Sequence, residues 1–294
     1  MSFEVHLVDG TYELFRHFYA IPSRINDDGR EVAATRGVVG SMLQLLGDGA
    51  THVGVATDHV IESWRNDLWA TYKDGSGVDP QLKQQFPLLE EALEALGLTV
   101  WAMVEDEADD ALGSAAWLAG DDPDVSRVLI CTPDKDMGQC VGGKVVQLDR
   151  RKQVIYDADG VREKFGVDPE SIPDYLAVVG DSADGFPGLK GWGAKGASAV
   201  LRRWKHLEDL PSDVADWDVQ VASIRSMAAR FFDEREQALL FKVLATLKRD
   251  CAVGRPADWE WTGPTKAFES ICEQLQAPDH LIRARKLAKD RRSS

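Results

Sequence analysis

Nine carboxylates fall in five short blocks of the sequence. Asp9 stands in Val8-Asp9-Gly10 and Asp58 follows Thr57. Glu107, Asp109 and Asp110 form Glu107-Ala108-Asp109-Asp110, while Asp134 and Asp136 flank Lys135 in Thr132-Pro133-Asp134-Lys135-Asp136. Asp181 and Asp184 close the set in Gly180-Asp181-Ser182-Ala183-Asp184. Packed together, such groups repel one another unless cations neutralise them. Hard divalent cations take oxygen ligands and leave room for water and a substrate phosphate. The chemistry implied is hydrolysis of a phosphodiester. Singly, each block has a plainer reading: Asp9 as a helix cap, Glu107 to Asp110 as acids favouring a helix N-terminus, Asp134 and Asp136 as turn residues, Asp181 and Asp184 as caps. Jointly, they read as a metal site.

Such a site needs elements that bring distant blocks together. Phe3 to Val8, His52 to Thr57, Thr99 to Met103, Arg127 to Cys131 and Lys144 to Leu148 read as buried or half-buried strands. Tyr12 to Tyr19, Val32 to Leu46, Gln81 to Leu96 and Ala108 to Leu118 read as helices. The alternation predicts an α/β fold with a mostly parallel sheet flanked by helices. Three of the strands end just before an acidic block, so the blocks are expected in one crevice at the strands' carboxyl ends. From Gly185-Phe186-Pro187-Gly188 onward strand signals fade, and Val219 to Phe231 and Glu236 to Leu247 have helical periodicity. The expected division is residues 1–184 for the α/β core and 185–294 for a helical region, with a mobile loop at Asp74 to Pro80.

The chain has 294 residues with 44% hydrophobic and 28% charged content, ordinary for a soluble domain or two. No apolar run reaches bilayer-spanning length, and Met1-Ser2-Phe3-Glu4 lacks a signal peptide's basic start. Cys131, Cys140, Cys251 and Cys272 show no metal-type pairing and are expected to be reduced. These features point to the cytoplasm and away from membranes. The net charge of −15 argues at first against nucleic acid, but setting the nine clustered acids aside leaves 40 acids against 34 bases. Local basic surfaces can still bind a polyanion, with strong salt dependence.

In order, VDG, TD, EADD, TPDKD and GDSADGFPG resemble the motifs of the 5′-nuclease family, which includes flap endonucleases and the 5′–3′ exonuclease domain of bacterial DNA polymerase I. Arg16, Arg65 and Tyr72-Lys73 add to the likeness. Gly188-Leu189-Lys190-Gly191-Trp192-Gly193-Ala194-Lys195-Gly196 resembles the family's helix–three-turn–helix. The resemblance spans about Met1 to Leu210. It implies a PIN-like core in which the nine acids hold two or more Mg²⁺ or Mn²⁺, directly or through water. It implies that Lys73 and Arg65 stabilise charge on the scissile phosphate and that Tyr72 stacks on a base; apart from the resemblance, Lys73 reads as a solvated charge and Tyr72 as a packing residue. It further implies duplex contacts from Arg16, Gly188, Lys190, Gly191, Gly193, Lys195 and Gly196, a potassium ion in the glycine loop, and an arch over residues 60–95. The implied partner is DNA with a 5′ flap, nick or 5′ end, or an RNA–DNA hybrid, bound by a monomer.

The chain departs from the pattern in places. Ser76 replaces a basic residue, and Arg65 to Glu94 holds only Arg65, Lys73 and Lys83 as bases beside Asp67, Asp74, Asp79, Glu90, Glu91 and Glu94. Trp192 stands for a small aliphatic and either abuts DNA or packs inward, the second being slightly favoured; Gly196 replaces a threonine. A weak grip on single strands is expected, and a stand-alone enzyme. Rival readings are a haloacid-dehalogenase-like phosphatase, a non-catalytic module binding branched DNA, and a PIN-type ribonuclease. The phosphatase reading requires a nucleophilic aspartate at position 7, where Leu7 stands.

Overall fold

The computed structural model describes residues 2–73 and 75–292; Asp74, one end of the expected loop and one of the arch acids, lies outside them. The first strand, β1 (Phe3–Asp9), leads into α1 (Gly10–Ala20) and α2 (Ala33–Gly47) before β2 (His52–Asp58). Three helices follow, α3 (Trp64–Leu68), α4 (Pro80–Lys83) and α5 (Gln85–Leu96), then β3 (Thr99–Met103), α6 (Ala108–Asp121) and β4 (Val125–Cys131). A hairpin of β5 (Val145–Asp149) and β6 (Val154–Tyr156) completes the sheet. Its order is β3-β2-β1-β4-β5-β6, parallel except for the antiparallel β6. Every residue of β2 is buried, as a parallel strand covered on both faces requires.

One face of the sheet packs against α1, α2 and α5 through Val8, Val53 and Val55 with Val38, Met42, Leu89 and Leu93. The other packs against α6 through Val5, Leu7, Val128 and Ile130 with Leu112 and Ala115. A third apolar cluster lies in the helices that follow: α7 (Ala158–Phe165), α8 (Ile172–Val179), α9 (Ala194–Trp204), α10 (Ile224–Asp233) and α11 (Arg235–Ala245).

Four expectations need correction. The helix read as continuous from Gln81 breaks at Gln84, because Pro87 has no N–H to give Lys83 and its ring would strike that carbonyl. Because α5 buries Leu88, Leu89, Ala92, Leu93 and Leu96 in the core, residues 85–96 belong to the core rather than to an arch. The 184/185 division falls inside the packing of α8 against α9 and α11. Residues 185–294 are also not one helical unit: after α11 the chain returns to the sheet. There Trp259 meets Trp101 edge-on, and the Trp261 indole donates to the Leu96 carbonyl at 2.8 Å. Finally α12 (Phe268–Gln274) and α13 (Pro278–Arg292) pack on α5 and α2.

Candidate active site

Asp9 ends β1 and caps α1, accepting from the Tyr12 N–H at 2.7 Å and the Thr132 hydroxyl at 3.0 Å. A Cβ at Gly10 would lie 2.8 Å from the Ala56 carbonyl, so only glycine lets α1 start this close over β2. Asp58 ends β2; its carboxylate caps α6 by accepting the Ala108 N–H at 2.8 Å. Glu107, Asp109 and Asp110 occupy the N-terminal turn of α6. Asp134 and Asp136 follow β4, and the Asp136 N–H donates to Asp134 at 3.1 Å. Asp181 and Asp184 lie in a tight turn closed by paired backbone hydrogen bonds between Asp181 and Phe186. Oxygens of Asp136, Asp181 and Asp184 all come within 4.8 Å of one another.

The cluster has two electrostatically different halves. On one side the protein supplies its own cations. Arg65 is buried, forms a two-pronged pair with Asp110 (2.7 and 2.8 Å) and bonds Glu107 at 2.9 Å. Lys73 bridges Asp58 at 3.1 Å and Glu107 at 3.3 Å. Burial alone would push the Asp110 carboxyl up, but the Arg65 hydrogen bonds and charge hold it below the usual carboxylate range. Burial works against the Lys73 ammonium, yet Asp58 and Glu107 push its pKa upward. In the second half Lys73 lowers Asp109 and Asp184 only from a distance, and among the described residues no Lys or Arg pairs directly with Asp9, Asp109, Asp136 or Asp184. Burial, then the charges of Asp134 and Asp58, push Asp9 up to about 7 against the Tyr12 and Thr132 hydrogen bonds. Burial and Asp181 push Asp184 up to about 7. Asp109 and Asp136 rise well above the ordinary range through burial and the Asp134 charge.

Donor chemistry on this second side fits divalent cations: the groups are oxygens only, and Asp136 Oδ1 is buried with no hydrogen-bond partner among the described residues. A buried acceptor left unmade is costly unless something binds it. Lys135, between the two acids of its block, pairs with Asp181 at 2.6 Å. Beside it a cleft of about 610 Å³ opens between Trp69, Thr71, Lys135, Ser182 and Pro187.

Several expected roles do not survive the geometry. Asp110 has no free lone-pair direction: Oδ1 also accepts from the Lys248 N–H (2.9 Å) and Oδ2 from the Glu107 N–H (3.2 Å). In this structure it serves as an anchor, with both oxygens fully engaged by protein donors. Arg65 is too deeply enclosed to meet a phosphate. Tyr72 is only 2% exposed, stacks on Phe186 and directs its hydroxyl to Glu107 at 3.3 Å, so its ring is not offered to a base. Gly188 is buried, its missing Cβ making room for the Gly180 backbone, and does not face outward. By contrast Lys190, Gly191, Gly193 and Lys195 are exposed around the N-terminus of α9, while Gly196 is half-buried beside Met227. Trp192 packs inward, its indole N–H donating to the Met227 carbonyl at 2.9 Å. Arg16 is paired to Glu13 and lines a cleft of about 360 Å³ with Arg150 and Arg151. All four cysteines are unpaired.

Sequence reasoning passes over Ser63, whose hydroxyl donates to Glu107 at 2.7 Å, and Thr11, which accepts the Asp58 N–H at 2.8 Å. Lys135 and Thr132 are visible in the sequence as the residues between and before the acids of one block. Nothing local marks Ser63.

A parallel sheet whose carboxyl edge gathers acids, followed by a helix with an exposed glycine-rich start, is an arrangement suited to a metal-dependent nuclease. Residues 4–166 match the N-terminal resolvase-like domain of 5′-3′ exonucleases, and residues 167–267 match their C-terminal SAM fold. The chain belongs to the 5′-3′ exonuclease family. It is 31% identical over 209 residues to a 5′-3′ exonuclease of Aquifex aeolicus, covering 70% of this chain and 71% of the relative. It is 34% identical over 256 residues to DNA polymerase I of Pseudomonas aeruginosa, covering 83% of this chain but 27% of that protein. The T5 5′-exonuclease with bound zinc shares the fold at TM-score 0.66 and 18% identity, covering 98% of this chain and 97% of that one. The catalytic core of Rad2 in complex with DNA substrate shares it at TM-score 0.64 and 15% identity, covering 97% and 93%. Among the described residues no helix is long and apolar enough to cross a membrane.

Proposed function

We propose that the chain is a structure-specific 5′ nuclease, a 5′–3′ exonuclease and flap endonuclease that leaves a 5′ phosphate and a 3′ hydroxyl. The observation that carries this reading is the half of the acidic cluster built from Asp9, Asp109, Asp134, Asp136 and Asp184, with which no Lys or Arg pairs directly among the described residues; Asp181, paired with Lys135, lies beside them. These residues would hold two or more Mg²⁺ or Mn²⁺, with Asp58 and Glu107 acting through bound water. Such ions lower the pKa of an attacking water and neutralise the leaving 3′ oxygen.

The protein's own residues supply the rest. Arg65 is enclosed, whereas the Lys73 side chain is 24% exposed and can turn from Asp58 and Glu107 towards a phosphate. Its position is fixed from both directions: the Lys73 N–H donates to the Asp184 carbonyl at 3.1 Å, and the Trp69 indole to the Gly185 carbonyl at 3.2 Å. Lys190 and Lys195, with the backbone N–H groups at the start of α9, suit a duplex backbone rather than its bases. Arg16 joins Arg150 and Arg151 as a further backbone contact. A potassium ion in the Gly191 to Gly193 turn, RNA–DNA hybrids as substrates, and action as a cytoplasmic monomer belong to the same proposal.

Labelled 5′-flap, nicked, blunt and single-stranded DNA, incubated with and without Mn²⁺, tests it. Metal-dependent release of 5′-terminal products from flap and nicked DNA is the expected result. Intact DNA with both Mg²⁺ and Mn²⁺ would overturn it and favour a binding module. The phosphatase alternative has no support in the site, because the buried Leu7 stands where its nucleophile is needed.

A further inference from the structure

Arg65 lies where three parts of the chain meet. It belongs to α3, its guanidinium reaches the first turn of α6, and beyond that it reaches the end of α11 in the helical layer. All five guanidinium N–H groups are used, which fixes the planar fork in one orientation. Nη1 donates to Glu107 at 2.9 Å and to Asp110 at 2.7 Å. Nη2 donates to Asp110 at 2.8 Å and to the Thr246 carbonyl at 3.0 Å. Nε donates to the Leu244 carbonyl at 2.7 Å. Asp110 returns the link by accepting the Lys248 N–H at 2.9 Å. The guanidinium carbon also lies 4.5 Å from the Trp64 ring centroid, and the Lys248 ammonium 5.3 Å from the same ring.

The carbonyls of the last turn of a helix lack partners within it and attract cations. Arg65 therefore satisfies the end of α11 and the buried Glu107 and Asp110 carboxylates with one charge. Glu107 in turn holds Lys73 and Tyr72.

We propose that Arg65 is a positioning residue that locks the helical layer, through the end of α11, to the acidic turn of α6 and so sets the geometry of the metal site. This inference rests on the nuclease reading for its activity arm alone. Its structural arm is independent of that reading. A lysine cannot reproduce the fork, because it offers a point charge with no planar two-pronged geometry.

The test compares wild type, Arg65→Lys, Asp110→Asn and the double variant. In metal-free protein, amide hydrogen exchange of the 244–248 segment is expected to quicken by about tenfold or more in Arg65→Lys, the size of a shift of about 1.4 kcal/mol in a local opening equilibrium. With Mn²⁺ and saturating flap DNA, the single-turnover rate is expected to fall by about a hundredfold, the scale of an ångström's misplacement. DNA affinity in metal-free buffer is expected to stay within about threefold of wild type. The effects of Arg65→Lys and Asp110→Asn are expected to be non-additive, as for residues sharing one network. Wild-type exchange in the 244–248 segment of Arg65→Lys overturns the proposal, as do additive rate effects, which would mean that Arg65 does not act through Asp110. If Arg65→Lys does not fold, Asp110→Asn alone decides by the same exchange measurement. Quickened exchange with no cleavage by any form, wild type included, would refute the nuclease reading while leaving the positioning role standing.

Discussion

Two halves of one acidic cluster have opposite electrostatic designs. Around Asp58, Glu107 and Asp110 the protein has built its own counter-ions, Arg65 and Lys73, and hydrogen bonds use up the carboxylate oxygens. Around Asp9, Asp109, Asp136 and Asp184 no comparable cation pairs among the described residues, and burial with mutual repulsion pushes all four carboxyls upward. On the reading proposed above, the difference separates acids that hold the architecture from acids whose charge is left for a metal to neutralise. An acidic motif alone does not say which kind a residue is; its partners do.

The comparison breaks most readily at the second half. Asp181→Ala and Asp134→Ala are expected to lower cleavage by at least about 10²–10³-fold, the scale of losing a principal electrostatic stabiliser, while leaving the circular dichroism spectrum unchanged. Near-normal rates with Mg²⁺ present would remove the basis of the assignment. Asp110→Asn is expected to act differently: it strips a buried guanidinium of its partner and should cost about 3–5 kcal/mol of stability, seen in denaturant melts.

Proton linkage sharpens the contrast. The folded-state pKa values of Asp9 and Asp184 lie near 7, above the ordinary 3.8 of an unfolded aspartate. A raised acid pKa means that the folded state binds more protons than the unfolded chain between about pH 4 and pH 7. The metal-free protein is therefore expected to be most stable near the lower end of that window and to lose stability as the pH rises through 7. Divalent metal should reverse the trend. At one hundred times its dissociation constant it adds about 2.7 kcal/mol, roughly 5–10 °C in melting temperature, with a larger shift at pH 8 than at pH 6. Equal shifts at both values would show that these carboxyls do not compete for protons and metal.

Effects outside the cluster are smaller. Replacing both Lys190 and Lys195 by alanine should reduce the slope of log binding constant against log salt by about 0.9 for each phosphate no longer neutralised, with cleavage restored at low salt. Ser76→Arg should tighten flap binding by less than about tenfold, as one added surface charge would. Unchanged binding and rate would mean that the base-poor segment does not limit the grip.

Much of this arrangement is legible in the sequence. Strands β1 to β5 stand out as short apolar runs, and each acidic block sits at a strand or helix end because the β-α alternation is a local pattern. What cannot be read is long-range. Whether Arg65 meets phosphate or is enclosed depends on the return of α11, nearly 180 residues later, whose carbonyls it satisfies. The base-stacking role of Tyr72 comes from the resemblance alone; its own context reads as packing, and the fold supplies Phe186 as the partner. The return of Trp259 and Trp261 to the sheet leaves no periodic trace, since two indoles at isolated positions do the packing. The break before α5 is marked by Pro87, but the apolar period runs through it and disguises it. Trp192 packs inward, the placement its sequence context slightly favours, and the Met227 carbonyl explains why an indole suits that position.

Which carboxylates take metal decides between the two halves. Anomalous diffraction from Mn²⁺-soaked crystals tests that most directly. It is expected to place ions about 2.2 Å from oxygens drawn from Asp9, Asp109, Asp134, Asp136, Asp181 and Asp184, with Asp110 still clasped by Arg65. Manganese bound only at Glu107 and Asp110, with Arg65 displaced and those six acids unoccupied, would contradict it.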